Sequence, residues 1–353
     1  MLSTDDIFLL SAELLSDVEF GRLLRKQLLA VHASPSYQAW LGSLAETEPF
    51  ILSDGAVDAR LLERARLARS GRLLVKLNRT GDNVFLTDGV WVEQRVRVFP
   101  FCDESAALVG FVREAGFAGW ASWTLDLATG CGVNAIALGG RSLAFDINPR
   151  ALAYAAANRA LNRIPGKDCI LTLNDIRDGI PRAVVPALDG HVLILANMPF
   201  GPAPSSDALP LTSNGGQSGA DLQIATYHAV ADFARAAEGR FSFRACLMGL
   251  TVGDRAADRW EIVERAVERF GADCVRWHLL RDEHVFRIDG VRQLGNPAPV
   301  AIALPGLASC RLYTPNESER TAKIAAFTDL AKRHEARGNP DIAYGIVEVM
   351  SAC

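Results

Sequence analysis

The sequence predicts an α/β protein with a doubly wound parallel sheet, preceded by a smaller and mainly helical domain. After residue 101, short apolar runs alternate with helical patterns, which is typical of βαβ units. Before residue 100, apolar residues recur in steps of three and four, as on the buried faces of helices. The 353 residues leave room for two domains. We therefore expect a helical domain over 1–100 and a larger domain over 101–353.

The amino-terminal part combines a helical pattern with a short β extension. Helical periodicity runs from Asp5 to about Arg69 and includes an amphipathic helix at Val57–Ala68. The period then changes, and Thr80-Gly81-Asp82-Asn83 is a turn signal. Short strands are predicted at Leu73–Leu77, Val84–Thr87 and Val90–Val98.

Helices and strands alternate over the rest of the chain. Helices are predicted at Glu104–Ala115, Asn134–Leu138, Pro149–Asn162, Leu222–Ala237, Ala256–Phe270 and Glu317–Arg337. Strands are predicted at Trp123–Leu127, Ser142–Phe145, Cys169–Leu173, His191–Ala196, Phe241–Leu250, Val275–Leu280, Val285–Ile288, Val300–Leu304 and Tyr344–Met350.

Composition and charge narrow the class of protein. The formal net charge is -4, so binding to nucleic acid would need a local basic patch. Seven scattered cysteines without C-x-x-C spacing favour reduced thiols over a disulfide framework or a metal site. The acidic amino terminus does not resemble a signal peptide, and no apolar run approaches the ~18 residues that span a bilayer. We expect a cytoplasmic protein that binds no membrane and no metal.

A glycine-rich loop follows the strand at Trp123–Leu127. Its sequence, Asp126-Leu-Ala-Thr-Gly-Cys-Gly132, lets the backbone approach a ligand and leads to a helix amino terminus with unpaired N–H groups. Twenty residues after Asp126, Asp146 closes the next strand, where a carboxylate can accept both hydroxyls of a ribose. The glycine pattern alone would also suit a nicotinamide dinucleotide in an oxidoreductase. Cys131 lies near the helix amino terminus, which could lower its pKa, but a small buried residue is favoured there.

Two acidic positions distinguish these ligands. Asp126, four residues before Gly130, would repel a pyrophosphate and attract an ammonium group. Asn174-Asp175 follows the third strand, where it could bind the exocyclic amine of adenine. An ammonium group, a ribose and an adenine together describe S-adenosylmethionine.

The tetrapeptide Asn197-Met198-Pro199-Phe200 ends the apolar run that starts at His191. Ligands in open α/β sheets lie beyond the carboxyl ends of strands, so Asn197 is expected at the mouth of a crevice. The tetrapeptide resembles the Asn-Pro-Pro-Tyr/Phe motif of the amino-methylating branch of class I S-adenosylmethionine-dependent methyltransferases. That branch includes protein glutamine methyltransferases and enzymes that methylate exocyclic amines of adenine and guanine. Met198 stands where the family has its first proline.

Three further segments resemble the same family, over about residues 99–250 in all. The run 125–162 resembles its cofactor half, with a Rossmann-like sheet. Asp146-Ile147-Asn148-Pro149-Arg150-Ala151-Leu152 and Gly215-Gly216-Gln217-Ser218-Gly219-Ala220-Asp221 resemble segments of the glutamine methyltransferases. The larger domain would then be the catalytic domain of a methyltransferase.

The resemblance implies a role for each residue of these motifs. The Asn197 side chain and the Met198 carbonyl would accept N–H groups of the substrate nitrogen, and Phe200 would stack on its planar group. The implied catalytic residues are Asn197, Met198, Pro199 and Phe200. The residues implied to bind S-adenosylmethionine are Asp126, Ala128, Gly130, Gly132, Asn134, Asp146, Ile147, Asn174, Asp175, Ile176 and Asn197.

Three functions stay open at this point. The first is methyl transfer to an amine or amide nitrogen of a small molecule, peptide or protein. The second is methylation of an RNA or DNA base, and the third is a non-catalytic cofactor-binding protein of the same fold. A basic track for nucleic acid is available on the first domain. Its candidates are Arg22, Arg25, Lys26, Arg60, Arg64, Arg66, Arg69 and Arg72.

Several of these residues also have a purely structural interpretation. Asp126 could cap the turn or helix that follows it, and Asp146 and Asp175 could be turn residues at strand ends. Asn197 could be a loop-entry amide before proline, and Gly215-Gly216 could belong to a flexible loop.

Overall fold

The computed structural model describes most of the chain. The chain forms two compact units, each with more contacts between its own residues than with the other unit. The described residues are 1–41, 48–52, 58–89, 91–93, 96–99, 103–279, 286–287 and 317–351. Unit 1 comprises Met1–Ala118 and Thr124–Asn174, and unit 2 comprises Gly119–Trp123 and Asp175–Cys353. The predicted domain boundary near residue 100 stays a prediction.

Unit 1 begins with helices that are capped by polar side chains. The helices are α1 (Thr4–Ser16), α2 (Val18–Ala33), α3 (Pro35–Trp40) and α4 (Ala59–Arg64). Ser3 and Asp6 form a capping box at the start of α1, and Asp17 and Ser34 cap the next two helices. The predicted helical character is confirmed, but the helix expected to reach Ala68 ends at Arg64. Arg66 has a φ of 60°, which is incompatible with a continuing right-handed helix.

Two small antiparallel pairs follow the helices. They are β1 (Ala68–Arg69) with β2 (Arg72–Leu73), and β3 (Lys76–Thr80) with β4 (Asn83–Thr87). The hairpin between β3 and β4 turns where it was predicted, with Gly81 at a φ of 57°. The strand predicted at Val90–Val98 is wrong, because its described residues form turns. There the amides of Val92 and Arg97 donate to Gly89 and Glu93, three and four residues back, so they are not available to a neighbouring strand.

From residue 103 to Leu173 the chain alternates between strands and helices, and all of these elements lie in unit 1 except for Gly119–Trp123. The elements from residue 103 onward are α5 (Asp103–Glu114), α6 (Phe117–Trp120), β5 (Trp123–Leu127), α7 (Val133–Leu138), β6 (Ser142–Asp146), α8 (Pro149–Leu161) and β7 (Cys169–Leu173). β6 pairs in parallel with both β5 and β7. Every residue of β5 and β6 is buried, as expected for parallel strands covered on both faces.

Helix α8 joins the amino-terminal helices to this α/β part within unit 1. The Arg150 guanidinium donates to both oxygens of Asp88, at 2.8 and 2.5 Å, and to the Leu2 carbonyl at 2.7 Å. The Tyr154 hydroxyl donates to Asp88 at 2.7 Å. Buried side chains of α1, α2, the β3–β4 hairpin and α8 form one hydrophobic cluster. The first hundred residues therefore share a core with the glycine-loop half of the chain.

Unit 2 contains a parallel strand pair followed by antiparallel strands. Its elements are β8 (His191–Asn197), α9 (Asp221–Ala237), β9 (Ser242–Asp254), β10 (Arg259–Trp260), α10 (Glu261–Phe270), β11 (Val275–Leu279), β12 (Phe286–Arg287), α11 (Glu317–Ala336) and β13 (Asp341–Met350). β8 and β9 run parallel, whereas β13 pairs antiparallel with both β9 and β11. The predicted α/β class with a parallel-dominated sheet is confirmed.

One predicted boundary in unit 2 is wrong. The helix expected from Ala256 begins at Glu261, because β10 folds back onto β9. Asp258 has a φ of 49°, and the Asp254 carboxylate accepts the amides of Ala256 and Ala257, which stabilises the turn. The strand predicted at Val300–Leu304 lies outside the described residues. None of the described helices is long and apolar enough to cross a membrane.

Candidate functional site

The loop between β5 and α7 has an unusual backbone. Ala128, Gly130 and Gly132 have φ values of 58°, 55° and 86°. A Cβ on Gly130 would meet nothing within 4 Å, so this side of the loop is open. A Cβ on Gly132 would lie 3.2 Å from the Cβ of Ala155, so this glycine lets α7 pack against α8. Ala128 is an alanine in the left-handed region, which costs about 1–2 kcal/mol.

Asp126 is fully buried and makes hydrogen bonds inside the loop. Its carboxylate accepts from the Thr129 hydroxyl at 2.6 Å, the Asn134 amide nitrogen at 3.1 Å and the Ala135 backbone amide at 3.3 Å. These contacts correspond to the predicted capping alternative. Burial raises the pKa of Asp126 to about 6, against the effect of these hydrogen bonds. Thr129 was not assigned a role from the sequence, although its hydroxyl within the glycine run was a usable signal.

Asn134 has a buried acceptor without a hydrogen-bond partner. Its Nδ2 must face Asp126, because an ionised carboxylate only accepts hydrogen bonds. This orientation leaves Oδ1 buried with no partner. Such an orphaned acceptor costs about 1–3 kcal/mol, which a ligand N–H donor would recover.

Asp146 ends β6 and is bound to the glycine loop. One carboxylate oxygen accepts the Gly130 amide and the other accepts the Asn148 amide, both at 2.8 Å. Each oxygen has a second lone pair, so the carboxylate can still accept two hydroxyl donors. Burial raises the pKa of Asp146. The Asn174 amide donates to the Asp146 carbonyl at 2.9 Å, and the Ile147 side chain next to Asp146 is 44 % exposed.

Asp175 and Ile176 begin a short 3₁₀ helix in unit 2. Asp175 caps this helix, Ile176–Asp178, by accepting the Arg177 amide at 3.0 Å. It also forms an ion pair with the Arg177 guanidinium at 2.6 Å, which holds the pKa of Asp175 below its usual value. The turn alternative therefore describes its contacts, and its bond to adenine stays a prediction.

The tetrapeptide 197–200 leaves the carboxyl end of β8. Asn197 is the last strand residue, and its side chain is half-buried. Met198 is only 3 % exposed. The Phe200 ring packs edge-on against Tyr344 of β13, with ring centroids 5.6 Å apart and an interplanar angle of 87°. Tyr344 was predicted as a strand residue without a role at the site.

The glycine segment 215–221 packs directly against the backbone of this tetrapeptide. The Gly215 amide donates to Gly201 at 2.9 Å, and the Ala203 amide donates to Gly216 at 2.8 Å. A Cβ on Gly215 would lie 2.7 Å from the Phe200 Cα, and one on Gly219 would lie 2.3 Å from the Phe200 carbonyl oxygen. These contacts favour a closely packed turn over the flexible-loop alternative.

His334 of α11 supports the same segment from the carboxyl-terminal part of the chain. Its Nε2 donates to the Gln217 carbonyl at 2.9 Å, and its Nδ1 is buried without a hydrogen-bond partner. Burial lowers the pKa of His334, so the ring is neutral at pH 7. No sequence pattern predicts this contact, because the two residues are 117 positions apart.

The Cys131 thiol of the glycine loop is buried. Burial raises its pKa to about 12, which agrees with the predicted role of a small buried residue.

Three arginines of the predicted basic track are already paired. Arg22, Arg64 and Arg66 form ion pairs with acidic neighbours on the amino-terminal helices. These pairs reduce the charge that is left for a polyanion. Among the described residues, no group of three or more histidine, cysteine or acidic side chains could hold a metal ion.

The chain matches no protein-family profile and no curated protein sequence. Solved structures resemble it weakly. Trm5b from Pyrococcus abyssi has a TM-score of 0.37 and 14 % identity, and the match covers 79 % of this chain and 56 % of that one. The chain thus spans little more than half the length of Trm5b.

Two other solved structures resemble the chain at a similar level. A putative sarcosine dimethylglycine methyltransferase from Galdieria sulphuraria has a TM-score of 0.36 and 11 % identity, covering 74 % of this chain and 95 % of that one. TYW2 from M. jannaschii, solved with AdoMet, has a TM-score of 0.36 and 12 % identity, covering 78 % and 85 %. These structures and Trm5b are S-adenosylmethionine-dependent methyltransferases. At these values the likeness assigns neither an acceptor nor a residue role to this chain.

Proposed function

We propose that the protein is an S-adenosylmethionine-dependent methyltransferase that acts on an amine or amide nitrogen of a small molecule, peptide or protein. The observation that carries the proposal is the packing of segment 215–221 against the backbone of Phe200. Both segments resemble motifs of the amino-methylating branch, and their contact supports one functional unit. Three of the eight residues of the predicted basic track form ion pairs with acidic neighbours, which leaves fewer charges for a nucleic-acid acceptor.

Residues of the glycine loop and the strand ends would hold the cofactor. S-adenosylmethionine supplies a methyl group that is activated by a sulfonium. The orphaned Asn134 oxygen and the Asp126 carboxylate favour its ammonium group, and Asp146 accepts the ribose hydroxyls. The open loop at Gly130 allows close approach of the backbone to the ligand. The residues proposed for adenine are Ile147, Asn174, Asp175 and Ile176.

Residues 197–200 would bind the acceptor nitrogen. A conjugated nitrogen is a poor nucleophile because its lone pair is delocalised. Acceptors that bind its N–H groups stabilise the positive charge that develops on the nitrogen as its lone pair forms the bond to the methyl group. Asn197 Oδ1 and the Met198 carbonyl are those acceptors. Phe200 stacks on the planar group, while the edge-on contact with Tyr344 fixes its ring.

The proposal is tested by transfer of an isotope-labelled methyl group. The full chain is incubated with methyl-labelled S-adenosylmethionine and a panel of primary amines and glutamine-containing peptides. Fragmentation of the products by mass spectrometry then locates the atom that carries the label. We expect label on nitrogen in at least one acceptor class. Label on oxygen or carbon alone would contradict the nitrogen assignment. Cofactor binding without transfer to any acceptor would support the non-catalytic alternative.

The cofactor is predicted to bind in a pH-dependent way that reports on Asp126. The ionised carboxylate attracts the ammonium group, and its pKa in the free protein is about 6. The affinity for S-adenosylhomocysteine should therefore be full above about pH 6 and fall, by up to tenfold per pH unit, below it. Isothermal titration calorimetry between pH 5 and pH 7.5 measures this dependence.

Methylthioadenosine is the matched control for this titration. It keeps the ribose and the adenine but lacks the amino acid, so any titration of Asp146 affects both ligands alike. Its affinity should change much less over the same range. Parallel curves for the two ligands would show that Asp126 does not act on the ammonium group.

A further inference from the structure

Asn158 of α8 and Asn162, which caps the carboxyl end of α8, hydrogen-bond to the backbone of β4. Asn158 accepts the Leu86 amide at 2.8 Å and donates to the Leu86 carbonyl at 3.0 Å. Asn162 accepts the Val84 amide at 3.0 Å and donates to the Val84 carbonyl at 2.7 Å. The asparagines are one helical turn apart and the strand residues are two positions apart, so the spacings match. The two side-chain amides therefore hydrogen-bond to every second residue of β4, as the backbone of a neighbouring strand would.

Asn158 makes one additional bond, which Asn162 lacks. Its Nδ2 also donates to the Cys131 carbonyl at 2.9 Å, while the second bond of the Asn162 Nδ2 goes to the Asn158 carbonyl. Cys131 lies between Gly130 and Gly132, the two glycines of the loop with positive φ. Asn158 is fully buried, so water cannot replace these bonds in place.

We infer that Asn158 is a positioning residue for the glycine loop, and that its amide connects this loop to the β3–β4 hairpin. The inference rests on the proposed function for the identity of the ligand. One amide group connects the hairpin backbone at Leu86 with the loop backbone at Cys131. A change at this amide leaves buried carbonyl groups without donors in both places. The loop then loses the bond that fixes its backbone next to α8.

The experiment compares two substitutions of the same kind. Asn158→Asp keeps an acceptor for the Leu86 amide but turns the donor that faces two carbonyls into an acceptor. Asn162→Asp makes the same change against Val84, one turn away, without touching the loop. Thermal unfolding should report a loss of stability for both variants. Calorimetry with S-adenosylhomocysteine at pH 7.5 should give an affinity at least about tenfold weaker for Asn158→Asp and nearly unchanged for Asn162→Asp.

Amide hydrogen exchange of residues 129–135 tests the inference without a ligand. Exchange in this segment should accelerate at least about tenfold in the Asn158 variant and stay close to wild type in the Asn162 variant. Asn158→Ala is the second variant if the aspartate does not fold, because it removes the donor without adding a charge. Equal effects of both positions on exchange and affinity would overturn the inference. Altered loop exchange in a protein that binds no S-adenosylhomocysteine at all would instead contradict the proposed function.

Discussion

Replacing Gly219 with alanine is expected to lower the free energy of unfolding by about 2–5 kcal/mol. Gly219 has a φ of 83°, and an added Cβ would lie 2.3 Å from the Phe200 carbonyl oxygen and 3.2 Å from its carbon. The backbone strain and the steric clash add to one another. Since the clash acts on the backbone of Phe200, turnover should fall further than the loss of folded protein explains. Urea unfolding and the initial rate of methyl transfer measure the two effects.

Gly239→Ala is the matched control for this substitution. Gly239 follows α9 in the same unit and has a φ of 76°, but an added Cβ would meet nothing within 4 Å. This variant carries the backbone strain without the clash and should lose only about 1–2 kcal/mol, with turnover per folded molecule unchanged. Similar losses of unfolding free energy and of turnover in the two variants would mean that the contact of segment 215–221 with Phe200 contributes to neither stability nor activity.

Replacing Asn197 with alanine is expected to reduce kcat by about 10²–10³-fold. The side-chain oxygen is proposed to accept an N–H group of the substrate, and this bond strengthens as positive charge develops on the nitrogen in the transition state. The dissociation constant of S-adenosylhomocysteine should stay within a few-fold of wild type. Initial rates with the best acceptor and calorimetry with the cofactor product measure the two quantities.

Asn197→Asp provides the comparison at the same position. The aspartate keeps a hydrogen-bond-accepting oxygen at the same distance from the backbone. With a neutral or cationic methyl-accepting substrate, it should retain more turnover than the alanine variant. Full activity of Asn197→Ala would contradict the assigned role. Loss of cofactor affinity in parallel with turnover would leave only the cofactor-binding role that the resemblance also implies for Asn197.

Most regular elements between residues 103 and 254 could be predicted to within one residue, but helix α6 and the last four residues of β9 were not predicted. Strand β5 and strand β7 have the predicted bounds, because apolar runs of five residues end at turn signals. The turn before α10 was missed because it depends on local hydrogen bonds, which the periodicity of apolar residues does not indicate. The turn at Asp258 uses a left-handed φ at a residue other than glycine, so the sequence continues to look helical where the chain folds back.

The candidate site was predictable where residues are linked through neighbouring strand ends. The proximity of Asp146 to the glycine loop could be predicted, because successive parallel strands bring their carboxyl ends to the same edge, and its carboxylate accepts the Gly130 amide. The contacts that support these residues came from far along the chain. Tyr344 reaches Phe200 and His334 reaches Gln217 through the packing of β13 and α11, which periodicity does not specify. The second bond of Asn158, to Cys131, depends on the exact placement of a helix over a loop.

Titration of S-adenosylhomocysteine into the full chain tests the central claim most directly. At pH 7.5, above the pKa of Asp126, we predict one binding site per chain with a dissociation constant well below about 1 mM. Asp146→Ala should weaken this binding at least about tenfold, because it removes the acceptor for the ribose hydroxyls. The absence of binding heat at about 1 mM ligand, with folded wild-type protein, would contradict the account.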